Sequence, residues 1–350
     1  MALAQTEKPE PFKKVVGKMG GAERKTEVAF FFGAPSPENI KKLREMSEGK
    51  RLDVILVGIE KDQNFLKMIR NDITVEEYLQ EKNRDFVKMI GEYITVKEYL
   101  QNSLFKLYNP ESDKTMFEFL KELYRNGTKV EQLDSEWQPI GEWIRGMKAN
   151  DALVDRMAEG DFEKAVDVAV EDAKTSADQL KIADLARAKE IAEKIKTGEW
   201  SGNILVIGGS IHTLMKNTLK YQFREREDVT IKALYAREED AEKVFGRGVS
   251  EVYDPMRVLT RVYMHGKEPV DKKELKERER LLGARFVILV EVSKTSKNSD
   301  VFEATKDVNQ LSYEECKKIF DKIHSEKMNE ERASEYLKTV LERKAKLYSV

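Results

Sequence analysis

Two short apolar runs separated by one helix-length of polar sequence limit the fold more than any other feature. Glu27–Phe32 reads EVAFFF and Asp53–Ile59 reads DVILVGI. The second run lacks polar alternation, which is the pattern of a strand buried on both faces of a parallel sheet. Between them, Gly33-Ala34-Pro35-Ser36-Pro37 ends the first strand. Ser36 is placed to cap a helix with Pro37 at its first position, and that helix runs to about Ser47. The chain therefore opens strand, helix, strand, with a right-handed crossover expected.

Sheet character recurs further on. Lys129–Leu133 reads as a short third strand after the Asn126-Gly127 stop, Asn203–Ile207 (NILVI) as a fourth and Val229–Leu234 as a fifth. Helices are expected over Asp113–Arg125, from about Thr213 to Arg226, and over Met256–Met264, Tyr313–His324 and Glu330–Tyr348. Glu136–Met147 is amphipathic, with Trp137, Ile140, Trp143, Ile144 and Met147 on nearly one face. Phe162–Lys196 is a long, charged, alanine-rich helical stretch, with the character of an exposed helical hairpin or a dimerising coil. Asp271–Val292 reads two ways: Lys272–Arg280 is helical, but Phe286–Val292 (FVILVEV) is β-branched enough for a strand.

The expected fold class is α/β: a mostly parallel sheet flanked by helices, with a large helical insertion and a helical C-terminal region. The boundaries are a basic arm over 1–25, an α/β core over 26–62 and 200–300, a helical insertion over 63–199, and C-terminal helices over 301–350. The insertion contains a repeat. Phe65–Gln80 (FLKMIRNDITVEEYLQ) and Phe86–Gln101 (FVKMIGEYITVKEYLQ) are identical at eleven of sixteen positions, at an offset of 21 residues. Each copy carries a capping box, Thr74 with Glu77 and Thr95 with Glu98, so the repeated unit is a turn followed by a helix start. Two copies are too few for a solenoid, and a tandem duplication that lengthens the insertion is the reading.

Composition excludes several classes. Within 350 residues the longest apolar runs, near Val28–Ala34 and Phe286–Val290, fall short of the ~18 a membrane span needs. The N-terminal MALAQTEKPEPFKK has no apolar core of a signal peptide. The single cysteine, Cys316, excludes an internal disulfide framework or a cysteine-built zinc site. These features point to a cytoplasmic protein without a membrane partner. Charges are dense and nearly cancel, 62 Lys+Arg against 64 Asp+Glu, as in proteins stabilised by surface ion-pair networks at high temperature. Basic residues nevertheless cluster locally. Lys13, Lys14, Lys18, Arg24 and Lys25 lie in the arm, and Lys216, Lys220, Arg224 and Arg226 on a helix. Lys272, Lys273, Lys276, Arg278 and Arg280 form a third group, interleaved with Glu274, Glu277 and Glu279. The first five and Lys216, Lys220 and Arg224 are the candidates for nucleic-acid contact.

Of the three histidines, His212, His265 and His324, only His212 follows an apolar strand and opens a helix, where α/β proteins place functional groups. Gly208, Gly209 and Ser210 precede it and let backbone approach a ligand; with His212 they are the candidate ligand-binding residues. The segment has neither the Walker lysine spacing nor the dinucleotide glycine pattern. No histidine pair has metal spacing and no GxSxG elbow occurs, so no metal ligand set and no cofactor are assigned.

The stretches FFFGAPSPENIKKL (Phe30–Leu43), LDVILVGIE (Leu52–Glu60), ADLARAKEIAEKI (Ala183–Ile195) and ILVIGGSIHTLMK (Ile204–Lys216) resemble the motifs of the TraB/PrgY and Tiki proteins. That family belongs to a wider group with ChaN-like and erythromycin-esterase-like proteins. Its pattern is a strand ending in a Gly-Thr-x-His type motif, a helix, a strand ending in glutamate, a helical insertion, an arginine-bearing helix and a strand ending in Gly-x-x-His. The resemblance covers about residues 26–235, matches His212 to the last histidine and Arg187 to the helix arginine, and implies a metal-dependent hydrolytic centre. The chain departs from it at two points. Ser36 stands at the first histidine and Gly58 at the glutamate, with Glu60 two residues on, on the same strand face. Loss of two of the three motif residues implies a fold that has shed its chemistry.

Three functions follow as expectations. The first is a non-catalytic interaction protein, homodimeric and binding RNA or the ribosome through its basic additions. The second is a hydrolase centred on His212, with Ser36, Glu60, Ser210 and Arg187 near it. The third is a small-ligand sensor using the same crevice.

Overall fold

The computed structural model describes residues 25–33, 36–47, 49, 51–58, 62–90, 110–133, 149, 151–208, 212–249, 252–265, 271–293 and 298–348. The amphipathic stretch Glu136–Met147, the arm up to Arg24 and the second repeat copy from residue 91 onward lie outside them.

The chain begins with β1 (Thr26–Phe32), α1 (Pro37–Ser47), β2 (Val54–Val57), α2 (Gln63–Arg70), α3 (Val75–Ile90), α4 (Pro110–Arg125) and β3 (Lys129–Gln132). It continues with the 35-residue α5 (Phe162–Lys196), β4 (Asn203–Gly208), α6 (Thr213–Gln222) and β5 (Val229–Tyr235). The remaining elements are helical: α7 (Glu238–Phe245), α8 (Pro255–His265), α9 (Lys272–Val292), α10 (Asn298–Val308), α11 (Tyr313–Ser325) and α12 (Glu330–Tyr348). The five strands form one sheet in the order β3-β2-β4-β1-β5, and every neighbouring pair is parallel.

Period-two alternation assigns the strand side chains to two helical layers. Phe31, Ile55, Val57, Leu205 and Ile207 pack with Ile40 and Leu43 of α1, Phe65 and Met68 of α2, Tyr78 of α3 and Phe119 of α4. Val28, Phe30, Phe32, Leu56, Ile204 and Val206 face the other way, onto Ala188, Ile191 and Ile195 of α5, Trp200, and Met215 and Leu219 of α6. Burial on both faces is why these strands read as continuous apolar runs.

A second core lies among helices alone. The first half of α5 (Phe162, Val166, Ala169, Val170) packs with Leu259 of α8, Val287 and Ile288 of α9, Val308 of α10, Ile319 and Phe320 of α11, and Leu337 of α12. One helix thus serves both cores, its first half in the helical lobe and its last turns on the sheet; the exposed hairpin expected for this stretch is corrected to a single unbroken helix, because its apolar and alanine positions are buried along both halves.

Two local readings are settled by packing. The first repeat copy is a helix end, a turn and a helix start. Asn71 takes the left-handed conformation after α2, and Thr74 and Glu77 exchange backbone and side-chain hydrogen bonds at the start of α3. Phe86–Ile90, which opens the second copy, is helical and belongs to α3. The strand alternative for Phe286–Val292 is corrected: these residues are the last two turns of α9. β-Branching there gives way because Leu282, Val287, Ile288, Leu289 and Val292 are all buried in the helical core, where no sheet edge is offered.

Candidate functional site

The sheet order creates a crevice. From β1 the chain crosses β4 to reach β2, with α1 on one face; from β4 it crosses β1 to reach β5, with α6 on the other. The connections leaving the carboxyl ends of β1 and β4 therefore diverge, and this is the switch point where open parallel sheets hold ligands. Gly33 and Gly208 meet there, the Gly33 N–H donating to the Gly208 carbonyl at 3.3 Å. A side chain at 33 has no room, since its Cβ would lie 2.6 Å from that of Ala236.

His212 follows β4 at this point and precedes α6. Its Nδ1 lies 2.6 Å from Oδ1 of Asp184, which is fully buried on α5. The other carboxylate oxygen accepts the Met215 N–H at 3.0 Å. Asp184 thus sits against the first turn of α6, where unpaired N–H groups and the helix dipole favour negative charge. A carboxylate held this way accepts a hydrogen bond from Nδ1–H, which assigns the tautomer and leaves Nε2 as the nitrogen available to a ligand. The His212 side chain is 15 % exposed.

Arg187 lies one turn beyond Asp184 and is also buried. Its guanidinium occupies the space over Gly58 at the end of β2: a Cβ there would lie 3.3 Å from Nη1, and Nη2 donates to the Gly58 carbonyl at 3.4 Å. Burial pulls the Arg187 pKa down, and the charges of Asp184 and Glu190 work against that shift. A side chain at 58 would press on the guanidinium, so the glycine gives the arginine room at the strand end. A third element enters through Thr213, 2 % exposed, whose Oγ1 is 3.3 Å from Nε2 of His265 at the end of α8.

The residues singled out from sequence divide as follows. His212 and Arg187 share the carboxyl end of the sheet with Gly208. Ser36 caps α1, its Oγ accepting the Asn39 N–H at 3.2 Å. Glu60, Gly209 and Ser210, with Lys13, Lys14, Lys18 and Arg24, lie outside the described residues. Lys25 is exposed just before β1. The Lys216 ammonium lies 5.7 Å from the centre of the Phe32 ring, at the end of β1. Lys220 is exposed, and the Arg224 guanidinium stacks 4.1 Å from the Tyr221 ring and pairs with Glu225 at 3.6 Å. Asp184, Thr213 and His265 had not been singled out. The available signal was Asp184 three residues before Arg187 in an alanine-rich helix, two polar residues on a face otherwise built to pack. Among the described residues no group of three His, Cys, Asp or Glu side chains is arranged to hold a metal ion.

Fold and site together define an α/β protein with a buried histidine–aspartate pair at the switch point of a five-stranded parallel sheet. No protein-family model, no curated protein and no solved structure matches the chain.

Proposed function

We propose that the protein acts at the β1/β4 crevice as a hydrolase, with His212 as general base. The observation that carries this reading is the 2.6 Å bond from His212 Nδ1 to a fully buried carboxylate. A buried carboxylate fixes the ring and stabilises the imidazolium that forms when Nε2 takes a proton from water; the hydroxide adds to an ester, amide or phosphoester centre, the bond to the leaving oxygen or nitrogen breaks, and the imidazolium returns its proton to that leaving group. A tether between α5 and α6 alone would be served by a neutral amide at lower desolvation cost. A metal-dependent form of the reaction needs ligands beyond His212. The test is hydrolysis of p-nitrophenyl acetate and bis(p-nitrophenyl) phosphate by the purified chain. His212→Ala and Asp184→Asn should each lose about a hundredfold or more of the rate. Rates equal to the wild type in both variants, or no turnover by the wild type, would remove the reading.

A second reading, a cytoplasmic homodimer that binds RNA or the ribosome, is favoured by one surface. Tyr221 is 67 % exposed, with Arg224 stacked on it and Lys220 beside it. An exposed ring with a guanidinium and an ammonium is the element on which single-stranded bases stack, at about 1–3 kcal/mol per base. Exposed Ile182 and Leu185 on the outward face of α5 offer a contact for a second copy. Sedimentation of lysate on a density gradient distinguishes the readings. Migration with a large particle, lost on added salt, on ribonuclease and in Tyr221→Ala, supports RNA binding. Migration near the mass of a monomer or dimer under all conditions argues against it.

A further inference from the structure

Two of the chain's three histidines converge on consecutive residues of one turn. His212 opens α6, and His265, far along the chain on α8, meets the hydroxyl of the next residue, Thr213. The helix carrying His265 belongs to the helical lobe, where Leu259 is part of the core, whereas α6 covers the sheet. The contact is therefore one between lobes.

Thr213 has no ordinary way to satisfy its hydroxyl. Thr260, in the middle of α8, donates to the Met256 carbonyl one turn back at 3.0 Å, the usual solution for a helical threonine. Thr213 is the first residue of its helix and has no preceding helical turn to bond. Its buried hydroxyl depends on the imidazole.

From there a series of contacts leads back to the base. His265 fixes Thr213; Thr213 opens the turn whose third residue, Met215, donates its N–H to Asp184 Oδ2 at 3.0 Å; Asp184 Oδ1 holds His212 Nδ1 at 2.6 Å; and His212 is bonded to Thr213 through the chain. The circuit closes on itself.

We propose that His265 is a positioning residue of the His212 site, acting through the Thr213 hydroxyl, so that the site is complete only with the helical lobe docked. The proposal rests on the general-base reading above. Its substrate would bind where the two lobes meet, and movement of α8 would release the turn that holds the base.

The test is a spectroscopic signature that needs no substrate. In the intact chain labelled with 15N-histidine, three imidazoles are present. An imidazole N–H donating to a buried carboxylate gives a proton resonance well downfield of the amides and exchanges slowly with water. His324, with Nε2 3.0 Å from a carboxylate oxygen of the buried Glu291, supplies one such resonance, which every variant should keep. His212 should supply a second, lost in His212→Ala and in Asp184→Asn; its presence in either of those variants, or its absence in the wild type, overturns the dyad reading itself. Thr213→Val and His265→Ala should each broaden or abolish it, and His265→Gln, which keeps a side-chain hydrogen-bonding group within reach of the hydroxyl, should restore it. The double variant Thr213→Val/His265→Ala should be no worse than either single, since both remove one contact. An unchanged resonance in His265→Ala and Thr213→Val overturns the positioning role and leaves the dyad standing. So does a failure of His265→Gln to restore the signal. Should His265→Ala not fold, Thr213→Val and His265→Gln carry the comparison alone.

Discussion

Glu163 and Asp172 share α5, yet their surroundings push them in opposite directions. The Tyr313 hydroxyl donates to Glu163, and Lys317 at 3.0 Å and Arg280 at 2.7 Å surround the same carboxylate, so its pKa falls to about 2 from 4.5. Asp172 is pushed up to about 6 from 3.8 by burial alone. A depressed carboxylate stabilises the fold above its unfolded pKa, so the Glu163 contribution is present above about 4.5 and fades as pH falls towards about 2. The Asp172 effect has the other sign. The folded state holds its proton more tightly, so that stability is full below about 3.8 and is lost as pH rises through about 6. Melting temperature against pH should show both. Asp172→Asn should be more stable than wild type by about 1 kcal/mol at pH 7 and equal to it at pH 3. Glu163→Gln should be less stable at pH 7 by under about 1 kcal/mol, because the side chain is 45 % exposed and solvent screens the cluster; the difference should vanish near pH 2. Asp172→Asn less stable than wild type at pH 7 would show that its carboxylate has a partner in the fold. At this scale, His212 was legible because glycine, strand end and helix start are sequence signals, whereas Arg187, inside a long helix, was named only through the motif resemblance. Asp184 and His265 were not legible, because what gives each its role is a partner brought in by another helix; the spacing of Asp184 from Arg187 marks a polar pair on a packing face and not what it meets.

Helix crossings are decided by the smallest residues at the contact. Gly283 of α9 lies against Val166 and Val170 of α5: a Cβ there would meet Val170 Cγ2 at 3.0 Å, Val166 Cγ1 at 3.1 Å and the Val166 carbonyl oxygen at 3.2 Å. The last of these is backbone and cannot rotate away. Gly283→Ala should therefore destabilise by about 1–3 kcal/mol despite the better helix propensity of alanine, which is worth only about 1 kcal/mol. Chemical denaturation of the variant measures this, and an unchanged or raised midpoint would mean that α5 and α9 can separate at no cost. Along α5, Ala165, Ala169, Ala173 and Ala177 recur every fourth residue and are all buried. The helix was readable there, although as an exposed hairpin or dimerising coil rather than as a core element. Its partners, α8 and α9, were not, since an alanine stripe accepts any helix with a small or grooved face.

The whole molecule is joined through α5, which spans about 50 Å at 1.5 Å per residue and belongs to both cores. With one rigid element in each, the two should unfold together. Asp178→Pro, at an exposed position between the two buried halves, should break that coupling. The ring removes a helical hydrogen bond and costs about 3 kcal/mol. Calorimetry should then resolve two transitions where the wild type has one; a single transition at lower temperature would mean that other contacts bind the lobes.

The sequence alone determined the strands, because burial on both faces writes a continuous apolar run that needs no knowledge of the partner. It determined the helix starts at Ser36 and Thr74 for a similar reason: a cap is completed within four residues. The fold class followed from those local facts. Strand order, the division of α5 between two cores, the helical state of Phe286–Val292 and the partners of His212 were decided only by tertiary structure. Each depends on which surfaces meet across large sequence separations. A single chain records the character of such a surface, apolar, small or charged, and not the identity of what lies against it.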